Sequence, residues 1–214
     1  MMKVPIKGGA FMNDLKKTAS ILDTVLKIAS IAIKIVSVAL LAALGILAAA
    51  FLLDLDPHMV GTGYDQADLG FVTFTVAESY LPDHRIIWSQ AAHEMLLSLI
   101  CMVPAHYSVK AIRNILSPMK NGEPFHNPVS TNLKKLANYT CSLGIGLNLQ
   151  KILSDIAITK AYDLPSLLLS EKISQVEFMF VFDFSFLAVY GILLLLSYIF
   201  RYGEQLQQLS DETI

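Results

Sequence analysis

Charge is scarce in this chain. Asp, Glu, Lys and Arg make up 16% of its 214 residues, against about 25% in an ordinary soluble domain. From 35 to 53 the sequence IVSVALLAALGILAAAFLL holds no charge, no proline and no strongly polar side chain beyond Ser37. As a helix rising about 1.5 Å per residue, that run covers ~28 Å, close to the hydrocarbon thickness of a bilayer. A water-soluble domain seldom needs apolar residues on every face of a helix for that length, so an ordinary soluble fold is excluded. The run exceeds the roughly 7–15 residues of a signal-peptide core, and more than thirty residues precede it. It is therefore expected to remain as an anchor.

Cysteine is nearly absent. Cys101 and Cys141 both fall in or beside apolar segments, which excludes a disulfide framework and leaves inert buried thiols. Catalytic motifs are missing too. His93-Glu94 is followed by Met95, Leu96 and Leu97, so the second histidine of a zinc-protease helix is not there. His106 comes thirteen residues later, a turn of about 220°, on another face of the helix. No glycine-rich phosphate loop, serine elbow or paired-cysteine metal site appears. The expectation is a protein that is not an enzyme, with no metal and no cofactor.

What is present is apolar sequence. Hydrophobic residues are 54% of the chain, and mean hydropathy is +0.54. Besides 35–53, three stretches have the length to cross a bilayer: 88–112, which contains Pro104, then 139–158, and 178–200, whose one charge is Asp183. The third is the most polar, with Asn148, Gln150, Lys151 and Asp155. The fold class read from this pattern is an all-α integral membrane protein with four transmembrane helices, in a single membrane domain. Upstream, residues 13–34 mix Leu15, Ile21, Leu22, Val25, Leu26 and Ile28 with Lys16, Lys17, Asp23 and Lys27 at helical spacing. That stretch is either an interfacial amphipathic helix or an extension of the first span.

Charge placement gives direction, because loops on the cytoplasmic side of a membrane are rich in Lys and Arg. Lys3, Lys7, Lys16, Lys17, Lys27 and Lys34 precede the first span. Residues 54–87 carry Asp54, Asp56, Asp65, Asp68, Glu78 and Asp83 against Arg85 alone. Residues 110–135 return to Lys110, Arg113, Lys120, Lys134 and Lys135 against Glu123. Residues 1–34, 113–138 and 201–214 are accordingly expected in the cytoplasm, and 54–87 and 159–177 outside. The first outer loop is expected to be mostly irregular or short-stranded, with alternation at 71–76 (FVTFTV). Its six acids lack the close spacing of a calcium loop.

A few polar groups stand inside the apolar stretches. Lys151 and Asp155 are four apart and share a helical face. Asp183 enters the fourth span from outside at similar depth, so Lys151, Asp155 and Asp183 form a candidate polar cluster. It reads either as a structural clamp or as part of a transporter or channel subunit. Small residues Ala42, Gly45 and Ala49, and Ser142 with Gly146, suit close helix packing and leave an oligomer open.

The loop 116–137 reads LSPMKNGEPFHNPVSTNLKKLA. Asn121-Gly122 marks a turn, and Asn127 is placed to cap a helix opening on Pro128. The tail reads FRYGEQLQQLSDETI from 200 to 214, with Leu206 and Leu209 as a sparse apolar face. At these two segments the chain resembles a bacterial family of small membrane proteins, domain of unknown function 2975. The residues that carry the resemblance are Asn121, Gly122, Pro124, Phe125 and Asn132 in the loop, and Phe200, Arg201, Gly203, Leu206, Asp211, Glu212 and Thr213 in the tail. The resemblance implies a four-helix protein of the bacterial inner membrane, without assigned activity, often encoded beside a small helix-turn-helix regulator. It points to a non-enzymatic interaction protein whose partner-binding residues include Asn121, Gly122, Pro124, Phe125, Arg201, Gly203, Leu206 and Asp211. Its partners would be the lipid bilayer and a cytoplasmic helix-turn-helix regulator, with no nucleic acid bound directly.

Overall fold

A computed structural model of the protein describes residues 8–55, 66–68, 73–75, 83–121, 128–163 and 182–212. Among them are four α-helices: α1 (Gly8–Leu52), α2 (His84–Asn121), α3 (Val129–Ala161) and α4 (Ser185–Asp211). Two three-residue strands, β1 (Gln66–Asp68) and β2 (Thr73–Thr75), pair antiparallel with Ala67 opposite Phe74. β2 falls inside the alternating stretch 71–76.

Three of the helices, α1, α2 and α4, are long and apolar enough to cross a membrane. Their outer faces are bare hydrocarbon: Ile28, Ile35, Val38 and Ile46 on α1, and Ile192, Leu195 and Ile199 on α4, are all exposed. Apolar surface of this extent marks a membrane or protein contact. α3 has the length, 33 residues, but not the apolarity.

The helices run longer than the apolar stretches. α1 continues without a break from Gly8, so residues 13–34 are the leading part of the same helix. α2 holds both Pro104 and Pro118 within its span. α3 starts at Val129, directly after Pro128, as the proline at the head of that segment predicts; Asn127 lies outside the described residues. The fourth helix differs from expectation. Residues 182–184 are not helical and α4 begins at Ser185, so Asp183 precedes the helix instead of entering it. There Asn148 of α3 takes up the main chain: its side-chain amide donates to the Asp183 carbonyl (3.0 Å) while its oxygen accepts the Asp183 N–H (2.7 Å).

The chain divides into two compact units. The first comprises Met1–Val36, Met102–Gly144 and Phe184–Ile214, and the second Ser37–Cys101 and Ile145–Asp183. In the first, Ile115, Val129 and Leu133 form a core against Met119, Leu136, Leu193 and Phe200, with Val129 fully buried. Gly144 lets α4 approach α3, for a Cβ there would overlap the Phe186 ring.

In the second unit Leu47 and Ala50 of α1 pack on Trp88, Ala91 and Met95 of α2. The small residues Ala42, Gly45 and Ala49 do not make this contact. They lie on the exposed side of α1, and a side chain at Gly45 would meet nothing. α1 ends in a Schellman-type turn: Leu55 N–H bonds back to the Ala50 carbonyl while Asp54 takes a left-handed φ of 55°. Trp88 Nε1 donates to the Leu55 carbonyl (2.8 Å) and Arg85 Nε to Asp54 (3.1 Å), fastening that turn to the start of α2. Gly146 of α3 packs closely, since a Cβ there would stand 3.0 Å from Cys101 Sγ, whereas Ser142, paired with it by spacing, is exposed.

Gly144→Ala is expected to lower stability in mild detergent by about 1–3 kcal/mol through overpacking, read by thermal unfolding. Combined with Phe186→Ala the loss should be less than additive; strict additivity would place the crowding elsewhere.

Candidate functional site

The start of α3 is built around a carboxylate from α4. A helix leaves its first N–H groups without intrahelical partners, and here Glu204 supplies one. Ser130 donates its backbone N–H to Glu204 Oε1 (2.9 Å) and its hydroxyl to Oε2 (2.7 Å). A negative group is also favoured at that helix end by the backbone dipoles. Behind it, the buried Ser197 hydroxyl donates to the Ser130 carbonyl (2.8 Å). Asn132 donates both its N–H (3.2 Å) and its side-chain amide (3.3 Å) to the Pro128 carbonyl. Beside this clamp lies a cleft of about 540 Å³ whose lining includes Thr131, Lys134, Tyr198, Arg201 and Gln208. Lys134 and Arg201 are exposed there. From Arg201 the helix carries on to Asp211, presenting Tyr202, Leu206 and Leu209 on one exposed stripe.

The same unit holds a second charged centre. Asp23 of α1 is buried and takes Arg113 Nε on Oδ1 (3.0 Å) and Lys120 Nζ on Oδ2 (2.6 Å), both from α2. Lys27, one turn along α1, stands 3.6 Å from Oδ2. Charge-assisted bonds of this kind are about twice as strong as neutral ones.

In the second unit two polar residues of α3 bond to α2. Gln150 donates to the Ser98 hydroxyl (2.7 Å) and the Ser154 hydroxyl donates to Glu94 (2.8 Å). The two rungs are four residues apart on each antiparallel helix. Glu94, the apparent protease residue of the sequence, is thus a partner for Ser154. A cleft of about 480 Å³ with Gln90, His93 and Lys160 in its lining follows on the same two helices. Among the described residues no group of three His, Cys, Asp or Glu side chains is placed to hold a metal ion.

The expected site residues fare unequally. Lys151 is exposed and Asp155 half-buried on α3, and among the described residues no ion pair joins them or links them to Asp183. It is Asn148 that engages Asp183, through its main chain. Asn121 is the last residue of α2 and exposed. Gly122, Pro124 and Phe125 lie outside the described residues. Arg201, Gly203 and Leu206 fall on α4, which ends at Asp211. Ser130, Ser197, Glu204, Asp23 and Arg113 had no local signal to single them out. Only the surplus of cations around residues 110–135 hinted that a buried acid on another helix was waiting for them.

No protein-family model, curated protein or solved structure matches the chain.

Asp23→Asn should cost about 1–3 kcal/mol, since Arg113 and Lys120 lose the charge and one of the two oxygens they share but are each about a third exposed and can turn to water. Thermal unfolding in detergent measures this; an unchanged midpoint would mean the cluster holds nothing together.

Proposed function

We propose that this chain is a multi-pass protein of the bacterial inner membrane, a relative of domain of unknown function 2975, that holds a soluble helix-turn-helix regulator at the cytoplasmic face. It crosses the bilayer four times, with both ends inside. α3 is the fourth crossing: its polar side chains Gln150 and Ser154 are turned onto α2 and Asn148 onto Asp183, which spares them contact with lipid. Charge supports the orientation. Twelve of the sixteen basic residues belong to the first unit, and twelve of the eighteen acids to the second. By the positive-inside rule this charge supports placing residues 1–34, 113–138 and 201–214 in the cytoplasm.

The observation that carries the functional reading is the C-terminal part of α4. It stays helical past the apolar run, is fixed to the start of α3 by Glu204, and offers Tyr202, Leu206 and Leu209 on an exposed face. That i, i+4, i+7 pattern is the geometry by which one helix docks in a groove of another protein. The regulator, held there, is kept from its operator. A tenfold change in its free concentration needs only about 1.4 kcal/mol of differential affinity.

Two experiments test this. Affinity capture of the detergent-solubilised protein should recover a helix-turn-helix partner, and Leu206→Lys with Leu209→Lys should abolish capture while thermal unfolding stays unchanged. Capture that survives the double substitution, or an empty capture under gentle conditions, removes the tail from consideration. For orientation, cysteines placed by Gly122→Cys and Ser210→Cys should label only after the membrane is permeabilised, and Asp65→Cys before it; the opposite pattern inverts the assignment.

A further inference from the structure

The cluster on Asp23 is unbalanced: one carboxylate faces three cations, Lys27, Arg113 and Lys120. Asp23 is spent on them, since both of its oxygens are bonded and its side chain is only 9% exposed. The cations are not spent. Arg113 uses Nε alone on Asp23, and its side chain remains 36% exposed, that of Lys120 34% and that of Lys27 56%. A guanidinium has five N–H donors and an ammonium three, so most of the donor capacity points elsewhere. Asp23 therefore acts as a fixed anchor that gathers a patch with a net charge of about +2.

The patch sits at a boundary between apolar and polar surface. Along α2 the exposed residues change from Val103 and Tyr107 to Lys110, Asn114, Ser117 and Asn121, all on one helical stripe. On α1, in the same unit, Ile21, Leu22, Val25 and Ile28 around Asp23 are exposed and apolar. Cations held at the height where hydrocarbon surface gives way to amide and hydroxyl surface meet the headgroup layer of a bilayer. A planar guanidinium beside two ammonium groups is suited to phosphate oxygens, the first by paired parallel bonds and the others as point charges.

We propose that Arg113, Lys120 and Lys27, organised by Asp23, bind the phosphate of an anionic phospholipid in the cytoplasmic leaflet. The inference rests on the membrane reading above and deepens it: the protein docks its regulator from a face that is itself tied to acidic lipid.

The test uses the full chain in nanodiscs of phosphatidylcholine alone or mixed with phosphatidylglycerol, with lipid retention read by native mass spectrometry and stability by thermal unfolding. Phosphatidylglycerol should be retained selectively and raise the unfolding midpoint. Arg113→Gln and Lys120→Gln should each weaken retention roughly fivefold, the factor that about 1 kcal/mol per cation corresponds to. Lys27→Gln, which removes the most exposed cation, should lower retention with the fold intact, and so keeps the test open if either of the others misfolds. Asp23→Asn, which keeps the three cations but frees them from their common anchor, should reduce stability and weaken selectivity less than removal of a cation does. Equal retention across all variants overturns the proposal, as does retention that falls on Asp23→Asn but on none of Arg113→Gln, Lys120→Gln and Lys27→Gln, which would mean that the ion pairs are only structural. If inorganic phosphate added to the detergent-solubilised protein stabilises it as much as phosphatidylglycerol does, the site is for free phosphate and the lipid assignment falls. A chain that stays monodisperse in plain buffer would sink the membrane reading itself, whereas lipid-independent behaviour after reconstitution sinks only this inference.

Discussion

A polar side chain facing hydrocarbon has no water to satisfy it, so it must find its partner within the protein or cost several kcal/mol. The polar residues of α3 that bond to α2 and to Asp183 meet that constraint whatever surrounds the helix. Its Gln150 and Ser154 lie four apart and meet Ser98 and Glu94, which also lie four apart on α2. Two rungs at helical repeat fix both the rotation and the register of the antiparallel pair; sliding by one residue would orphan all four groups at once. The backbone groups at Asp183 obey the same logic, taken up by Asn148 before α4 begins. Packing then fills what bonding has placed. Gly146 accepts Cys101, and Gly144 admits Phe186.

The helix ends show a second use of polar side chains, as caps supplied from a distance. The left-handed residue at the end of α1 is Asp54, not glycine, and its carboxylate is tied to Arg85 while Trp88 holds the next carbonyl. Aspartate tolerates that conformation better than most residues. At the start of α3, Ser130 is met by Glu204 from another helix. In both places a helix end has become a tertiary contact.

Much of this was legible in the sequence, and what was not has one physical reason. Apolar runs announce themselves locally, and so 35–53 and the body of α2 and α4 were readable from composition. Pro128 marked the start of α3 because proline fits the head of a helix. The polar residues of α3 find partners 52 and 60 positions away, beyond the reach of any local pattern. Glu204 reaches Ser130 across 74 positions and Lys120 reaches Asp23 across 97, separations at which no periodicity speaks. Lys151 and Asp155 show the converse. Their spacing permits a pair, but shared helical phase alone does not make one, and Lys151 is exposed with no ion pair to Asp155 among the described residues.

Glu204 has one more effect. It is rooted in the tail segment yet completes the first turn of a different helix, so the tail and α3 share a single strut. Whatever grips the tail and leaves that carboxylate in place stiffens α3 as well; whatever draws it away unties the opening turn. Grip and firmness are then two sides of one equilibrium, and each must change the other by an equal free energy. A single acid thus makes the tail a lever on the rest of the first unit.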